Sequence, residues 1–274
     1  MIVKVEIEWL EKMDRELDNN RVPDQEKARI AIWEWKRNSK NESFKDQENT
    51  IKIREWFDNN INHHAAKIGP EFIGCYYYDD YFWSLVIPLI YGKIEWKPHY
   101  SLISIPPRLK KQIESNSTEY EKLSRHYNNC NIYGREAKRL IACKNPSKYL
   151  ISADKQLQAT VSQLLNDDLS DVVLQSARMS VEMFLKSYLD MFVGLSEAKA
   201  KKLGHNLEKI LNACKKLDNG TILQYLEKHF EALPNIGDRY SGKSYPRETV
   251  WRAYYAAQFT GALICRSFIV MREK

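Results

Sequence analysis

The apolar residues of the C-terminal half repeat with helical spacing. One stripe is Leu174, Ala177, Val181, Phe184, Tyr188 and Met191, and a second is Val250, Tyr254, Ala257, Gly261, Ile264 and Phe268. Steps of three and four residues keep each stripe on one face of a long helix. Shorter apolar repeats predict a helix that begins near Ser152 and others around 207–217 and 222–230. The pattern predicts an antiparallel bundle of about four or five helices.

The first part of the chain alternates between two kinds of pattern. Helices are predicted from Pro23 to about Ser39 and from Asp46 to Ile61. The stretches 72–78, 81–91 and 100–105 are rich in aromatic and β-branched residues, which favour strands. They predict an antiparallel sheet of about three or four strands, with the two helices packed against it.

Turn and breaker residues divide this part further. Asp79-Asp80 and Tyr91-Gly92-Lys93 are plausible hairpin connections between the strands. Two more helices, at about 108–124 and 133–143, follow Pro106-Pro107. Asn145-Pro146-Ser147 is the best candidate for a domain boundary. We therefore expect a mainly α protein in which a small α+β domain (1–145) precedes a helical bundle (146–274).

Composition agrees with a helical protein and narrows its class. The 274 residues include only 10 Gly and 9 Pro, fewer than a sandwich or propeller needs for its turns. The net charge of +6 is evenly spread, with 25 basic and 22 acidic residues in 1–150 and 17 and 14 in 151–274. A dense Lys/Arg face, the usual mark of a dedicated nucleic-acid binder, is not visible, although a local basic pocket is compatible with this balance.

The cysteines and the longest uncharged runs indicate the cellular compartment in which the protein is expected. No two of the 5 cysteines form a CxxC pair, so neither a zinc motif of that kind nor a disulfide framework is expected. Met1–Glu6 carries charges where a signal peptide needs an apolar core. The longest uncharged runs, 81–92 and 253–265, are shorter than the roughly 20 residues that span a bilayer. We expect a cytoplasmic protein without membrane spans.

Several residues of the first domain invite functional interpretations. His63-His64 suggests metal ligands, but no further ligand completes a set and an exposed pair is favoured. Asp79-Asp80 suggests a cation site, although a tight turn is the preferred interpretation. The aromatic residues of 76–83 suggest nucleobase stacking, against which core packing or a protein interface is favoured. Neither a metal nor a cofactor is predicted, and no glycine-rich phosphate loop, GxSxG or HExxH occurs.

A set of polar residues in the second domain resembles a known family. Glu182 and Lys186 lie on the long predicted helix, Gly204-His205-Asn206-Leu207 begins another, and Asp238-Arg239-Tyr240 lies in a late loop. In this order, over about 151–270, they resemble the HEPN domain family. The resemblance implies a helical bundle of the kind found in nucleotide-binding partners of minimal nucleotidyltransferases and in toxin and defence ribonucleases.

The resemblance does not extend to the nuclease motif. Nuclease members of the family carry an Arg followed, after four to six residues, by a His, and these residues meet at a dimer interface and cut RNA without metal. None of the 6 histidines of this chain has an Arg at that distance before it, and His126 follows Arg125 directly. The departure favours a non-catalytic member.

The same polar residues suggest a binding site. Glu182 and Lys186 are four residues apart and can pair on one helix face. The backbone N–H groups of a helix start favour anions at His205 and Asn206, and Arg239 can add a bidentate phosphate contact. Alternatively, Asn206 or His205 caps the helix, Glu182 anchors Arg239 and Tyr240 fills the end of the bundle. The predicted ligand-binding residues are His205, Asn206, Arg239, Tyr240, Glu182 and Lys186.

Two functions follow from these observations. The preferred one is a non-catalytic binding or sensor protein for a nucleotide or RNA phosphate, expected as a homodimer and in a defence-related role. The alternative is an atypical metal-independent ribonuclease in which His205 acts as general base or acid and Arg239 stabilises the phosphorane. A structural or partner-adaptor role for the aromatic sheet in residues 71–105 is compatible with the preferred function.

Overall fold

The structure is a computed structural model that describes residues 5–20, 22, 24–39, 45–60, 72–88, 96–217, 223–234 and 244–272. Its first part contains three helices and a hairpin. These elements are α1 (Ile7–Asn19), α2 (Asp24–Ser39), α3 (Lys45–Asn60), β1 (Phe72–Tyr78) and β2 (Tyr81–Ile87).

Over the described residues, the elements that follow the hairpin are helical. A 3₁₀ turn (Pro98–Ser101) leads into α4 (Pro107–Ser115), α5 (Ser117–Ile141), α6 (Lys148–Leu165) and α7 (Asp171–Val193). The remaining helices are α8 (Glu197–Leu203), α9 (Leu207–Lys215), a 3₁₀ turn (Leu223–Leu226), α10 (Glu227–Phe230) and α11 (Arg247–Arg272). The predicted class is confirmed, because a small antiparallel sheet precedes a helical C-terminal region in a mainly α protein.

The hairpin turn forms as its sequence predicts. Tyr78 and Tyr81 are the last paired residues, and Asp79 and Asp80 have φ angles of 52° and 58°. Two central residues with positive φ make the turn type whose twist matches the flanking strands, and Asp is among the residues that tolerate it. Arg37 from α2 donates to Asp79 at 2.9 Å and Tyr77 donates to Asp80 at 2.9 Å, which holds the turn.

The sheet is smaller than predicted. Over the described residues it has two strands, and β2 ends at Ile87 because Pro88 has no N–H to continue the ladder. Leu102, in the predicted third strand, makes only an isolated bridge to Leu85. Ser84 N donates to the Ser104 side chain at 2.6 Å instead of to a third strand's backbone. The predicted turn at 91–93 lies outside the described residues.

The helices that follow also differ from the predicted bounds. The helix is interrupted at Asn116, whose side chain accepts from the backbone N–H of Glu119 at 3.2 Å and caps α5. Beyond this cap α5 is continuous, so the predicted helices at 108–124 and 133–143 are replaced by a short α4 and a long α5.

The direction of the long helices follows from their contacts. Ser147 bonds to Asp190 at 2.7 Å, which makes α6 and α7 antiparallel neighbours. Ser170 and Ser244 pair at the starts of α7 and α11, and Tyr188 and Phe268 meet near their ends. Thus α11 runs in the same direction as α7, because the short helices α8–α10 return the chain to the end of the bundle where α7 begins.

One hydrophobic core joins the hairpin to the bundle. It contains Phe82 and Trp83 from β2 together with Phe184 from α7 and Tyr254 from α11, all of them buried. The Tyr254 hydroxyl accepts from the backbone N–H of Cys75 in β1 at 3.0 Å. Apolar packing is therefore continuous across residue 145, and the division into domains 1–145 and 146–274 stays a prediction.

A second, smaller core holds the first three helices together. Leu10, Leu17, Ile30, Trp35 and Ile53 are buried in it. Among the helices that the structure describes, none is long and apolar enough to cross a membrane.

Candidate functional site

A buried carboxylate lies at the centre of the predicted polar cluster. Glu182 on α7 has no exposed surface. Its Oε1 lies 2.8 Å from Lys186 Nζ, one turn further along, and its Oε2 lies 3.5 Å from Arg178 Nη1, one turn earlier. The spacing of four residues on each side places both cations on the same helix face as the carboxylate. The predicted Glu182–Lys186 pair is confirmed.

His205 closes this cluster from the loop between α8 and α9. Its Nδ1 lies 2.9 Å from Oε1 and 3.1 Å from Oε2 of Glu182. Arg178 Nη2 donates to the backbone oxygen of His205 at 2.7 Å, so one arginine holds both the carboxylate and the loop. A carboxylate at Nδ1 orients the imidazole, and 55% of the His205 side chain is exposed.

The structure describes four of the six predicted site residues. Glu182, Lys186 and His205 lie together, whereas the Asn206 side chain accepts from the backbone N–H of Lys209 at 2.9 Å and caps α9, as the alternative interpretation predicted. Arg239 and Tyr240, like His63-His64, lie outside the described residues. We call Arg178, Glu182, Lys186 and His205 the ion cluster.

Arg178 belongs to the ion cluster but is not among the predicted site residues. Its distance of four residues before Glu182 is the same signal that identified Lys186. Lys186 and Arg178 are almost completely buried, so the ion cluster presents only the His205 ring to solvent. A phosphate therefore has little access to its cations.

A second candidate site lies between the hairpin and the helices α5 and α11, whose side chains form most of its wall. This cavity of about 630 Å³ is formed by β1, α5, α10 and α11. We call it the aromatic cavity, because its wall contains the rings of Tyr76, Tyr77, Tyr78, His126, His229, Trp251 and Tyr255. Tyr77 and Trp251 are 6.2 Å apart at 31°, and Trp251 and His126 are 5.0 Å apart at 66°. Tyr77, Trp251 and Tyr255 are half-buried, so part of each ring is accessible in the cavity wall.

The carboxylates in the wall of the aromatic cavity lie near the hairpin tyrosines, and two of its cations lie near His229. Asp79, Glu119 and Glu248 lie towards the hairpin, and Lys122, Arg125, Lys228 and Arg252 are the cations. Burial and then the Glu119 charge raise the pKa of Tyr76, whereas burial, Lys228 and Arg252 lower that of His229. Lys122 pairs with Glu119 at 2.7 Å and Arg125 pairs with Glu121 at 3.2 Å. Lys228 and Arg252, whose charges lower the pKa of His229, therefore define a basic end around His229 and Tyr255.

His126 forms part of the floor of the aromatic cavity and is almost completely buried. Burial lowers its pKa to about 4, and its Nε2 lies 2.8 Å from the Cys75 carbonyl oxygen, to which the neutral ring donates. Nδ1 has no hydrogen-bond partner among the described residues. Since the neutral ring donates through Nε2, its buried Nδ1 is an acceptor.

The aromatic run that the sequence singled out is divided between core and cavity. Phe82 and Trp83 are buried in the main core, in line with the favoured interpretation. Tyr77 and Tyr78 are half-buried and line the aromatic cavity, where the stacking alternative places them. Tyr77 pairs with Phe82 across the hairpin, so these two rings share one face of the sheet. The division therefore depends on what packs against each ring and not on alternation along the strands.

The other residues of the aromatic cavity were not predicted. Lys122, Arg125 and His126 share one face of α5 at helical spacing, and Trp251, Arg252 and Tyr255 do so on α11. These local signals were present in the sequence. The contact between the two faces was not, because it depends on how the helices pack.

Over the described ranges no group of three or more His, Cys, Asp or Glu side chains is placed to hold a metal ion.

Comparisons with protein-family models, with curated proteins and with solved structures give no match. The resemblance to the HEPN family thus rests on the residues quoted for it and stays a prediction.

Proposed function

We propose that this chain is a non-catalytic, HEPN-like binding protein whose ligand is a nucleotide, free or at the end of an RNA chain, held in the aromatic cavity. One observation carries the proposal: the cavity places stacking rings between a basic end and an acidic end. A nucleotide has the same order of groups, with a planar base between a phosphate and the base's own amino or imino N–H groups.

Each part of the nucleotide has a chemical counterpart in the wall. Stacking of a base on aromatic side chains contributes about 1–3 kcal/mol per base. Arg252 suits phosphate because a guanidinium donates two parallel hydrogen bonds to its oxygens, and Lys228 adds a second positive charge. At the other end, Glu119 and Glu248 accept hydrogen bonds of the kind that base amino groups donate. A ligand with carboxylates at both ends would face repulsion at the acidic end.

The proposal predicts nucleotide binding that depends on the basic end. We expect calorimetric titration to show binding of nucleoside 5′-phosphates and weaker binding of the nucleosides. Arg252→Ala should weaken binding about tenfold, since a charge-assisted hydrogen bond contributes about 1.5–3 kcal/mol. Oligoribonucleotides with and without a 5′-phosphate distinguish an RNA end from a free nucleotide.

Arg266→Ala is the matched control for this titration. Arg266 is exposed on the same helix, α11, and does not line the aromatic cavity. Equal affinities of the two variants, or no binding by the wild type, would contradict the proposal.

A ribonuclease is the second candidate, and the ion cluster is the observation that favours it. Buried Glu182 orients His205, whose ring is exposed, and a carboxylate-oriented imidazole is a common general base or acid. Under the preferred proposal, labelled tRNA incubated with the protein and a chelator stays intact. Cleavage that disappears in His205→Ala would establish the second candidate instead.

The expected assembly and setting are also proposals. A homodimer formed through long helix faces, a protein partner at residues 71–105, a cytoplasmic location and a defence-related role follow from the sequence patterns and the family resemblance. The bundle that carries Glu182 and His205 supports the resemblance by bringing two of its residues into contact.

A further inference from the structure

An apolar groove lies between the end of α7 and the pair α8 and α9. Its volume is about 720 Å³. The apolar residues of its wall are Leu189, Val193, Leu195, Leu203, Ala213 and Leu217. Val193 is 54% exposed and Leu217 is 36% exposed, so the groove presents large apolar side chains to solvent. Exposed apolar surface of this kind, with a polar rim, is typical of an interaction site.

The rim of the groove is strongly basic. Lys199, Lys202, Lys209 and Lys216 line it and are exposed, with Glu208 as the one carboxylate among its lining residues. Lys209 and Lys216 are seven residues apart, which places them two turns apart along the line of α9. Lys209 Nζ also donates to the backbone oxygen of Lys202 at 2.6 Å and so ties the two walls together.

We infer that this groove binds an amphipathic helix of a partner protein that carries acidic residues beside its apolar face. An apolar face laid into such a groove, with anchors at helical spacing, is a recurrent mode of helix recognition. The lysine rim requires the opposite charge on the flanks of the incoming helix, because like charges across an interface are costly. A second copy of this chain fits less well, since its net charge is +6. This inference is independent of the nucleotide proposal.

The test uses two designed helical peptides with the same leucine face. One has glutamates and the other has lysines on both flanks, and fluorescence anisotropy measures binding of each to the full chain. We expect the glutamate peptide to bind at least tenfold more tightly than the lysine peptide, and its affinity to fall as salt is raised. The double variant Lys202→Glu/Lys216→Glu should reverse this preference, and Val193→Asp should weaken the binding of both peptides.

Lys155→Glu is the control, because it changes the charge of an exposed residue of α6 outside the groove. Each substituted residue is exposed, so circular dichroism should show folded variants. Equal binding of the two peptides, no binding of either, or a double variant that behaves like Lys155→Glu would overturn the inference. A wild-type dimer in light scattering that Val193→Asp converts to a monomer would show a second copy as the occupant, which would also overturn it.

Discussion

Glu182→Ala should lower the free energy of unfolding by about 3–5 kcal/mol, the usual cost of breaking a buried ion pair from one side. The carboxylate accepts from Lys186 and His205 and lies beside Arg178, and it has no contact with solvent. Without it, the almost fully buried cations Arg178 and Lys186 lose the carboxylate that lies between them. The loop that carries His205 also loses one of its two attachments to α7, the other being the bond from Arg178.

Urea denaturation monitored by circular dichroism measures this effect. Glu197→Ala is the matched control, since Glu197 pairs with Lys148 at 3.2 Å on the surface and an exposed pair contributes little to stability. The double variant Glu182→Met/Lys186→Met should recover part of the loss, because it removes a buried cation together with the anion. A Glu182→Ala protein as stable as Glu197→Ala would show that water reaches the ion cluster.

Acidification should destabilise the protein by about 3 kcal/mol through His126 alone. Burial lowers the pKa of this side chain from 6.5 to about 4 in the folded chain. Between these two pH values the unfolded chain binds a proton that the folded chain excludes, so unfolding becomes more favourable as the pH falls. The contribution is absent above the unfolded pKa and reaches its full size below the folded one.

His126→Gln isolates this contribution from that of the other titrating groups. The amide N–H of glutamine can replace Nε2–H as donor to the Cys75 carbonyl oxygen, but it does not titrate. The free energy of unfolding of the variant, followed by urea denaturation from pH 7 to pH 4, should therefore fall by about 3 kcal/mol less than that of the wild type. Parallel pH profiles of the two proteins would show that His126 is protonated without cost in the fold.

The elements that the sequence predicted well depend on near neighbours in the chain. The helical stripes of α7 and α11 and the Asp79-Asp80 turn follow from residue type and spacing alone. The third strand was predicted wrongly because strand propensity says nothing about whether a partner edge is in reach. At Leu102 the pairing stops after one bridge, and the Ser104 side chain satisfies the neighbouring N–H.

The ion cluster and the aromatic cavity differ in how far apart their residues lie in the chain. Arg178, Glu182 and Lys186 are four residues apart on one helix, so their contact is a local property that the sequence determines. His126 and Trp251 belong to helices far apart in the chain, and their rings meet at 5.0 Å only because α5 and α11 pack side by side. The apolar stripes show that these helices have a buried face, but not which helix covers it. The tertiary structure decided that pairing, because many packings bury the same apolar area and only one brings these rings and charges together.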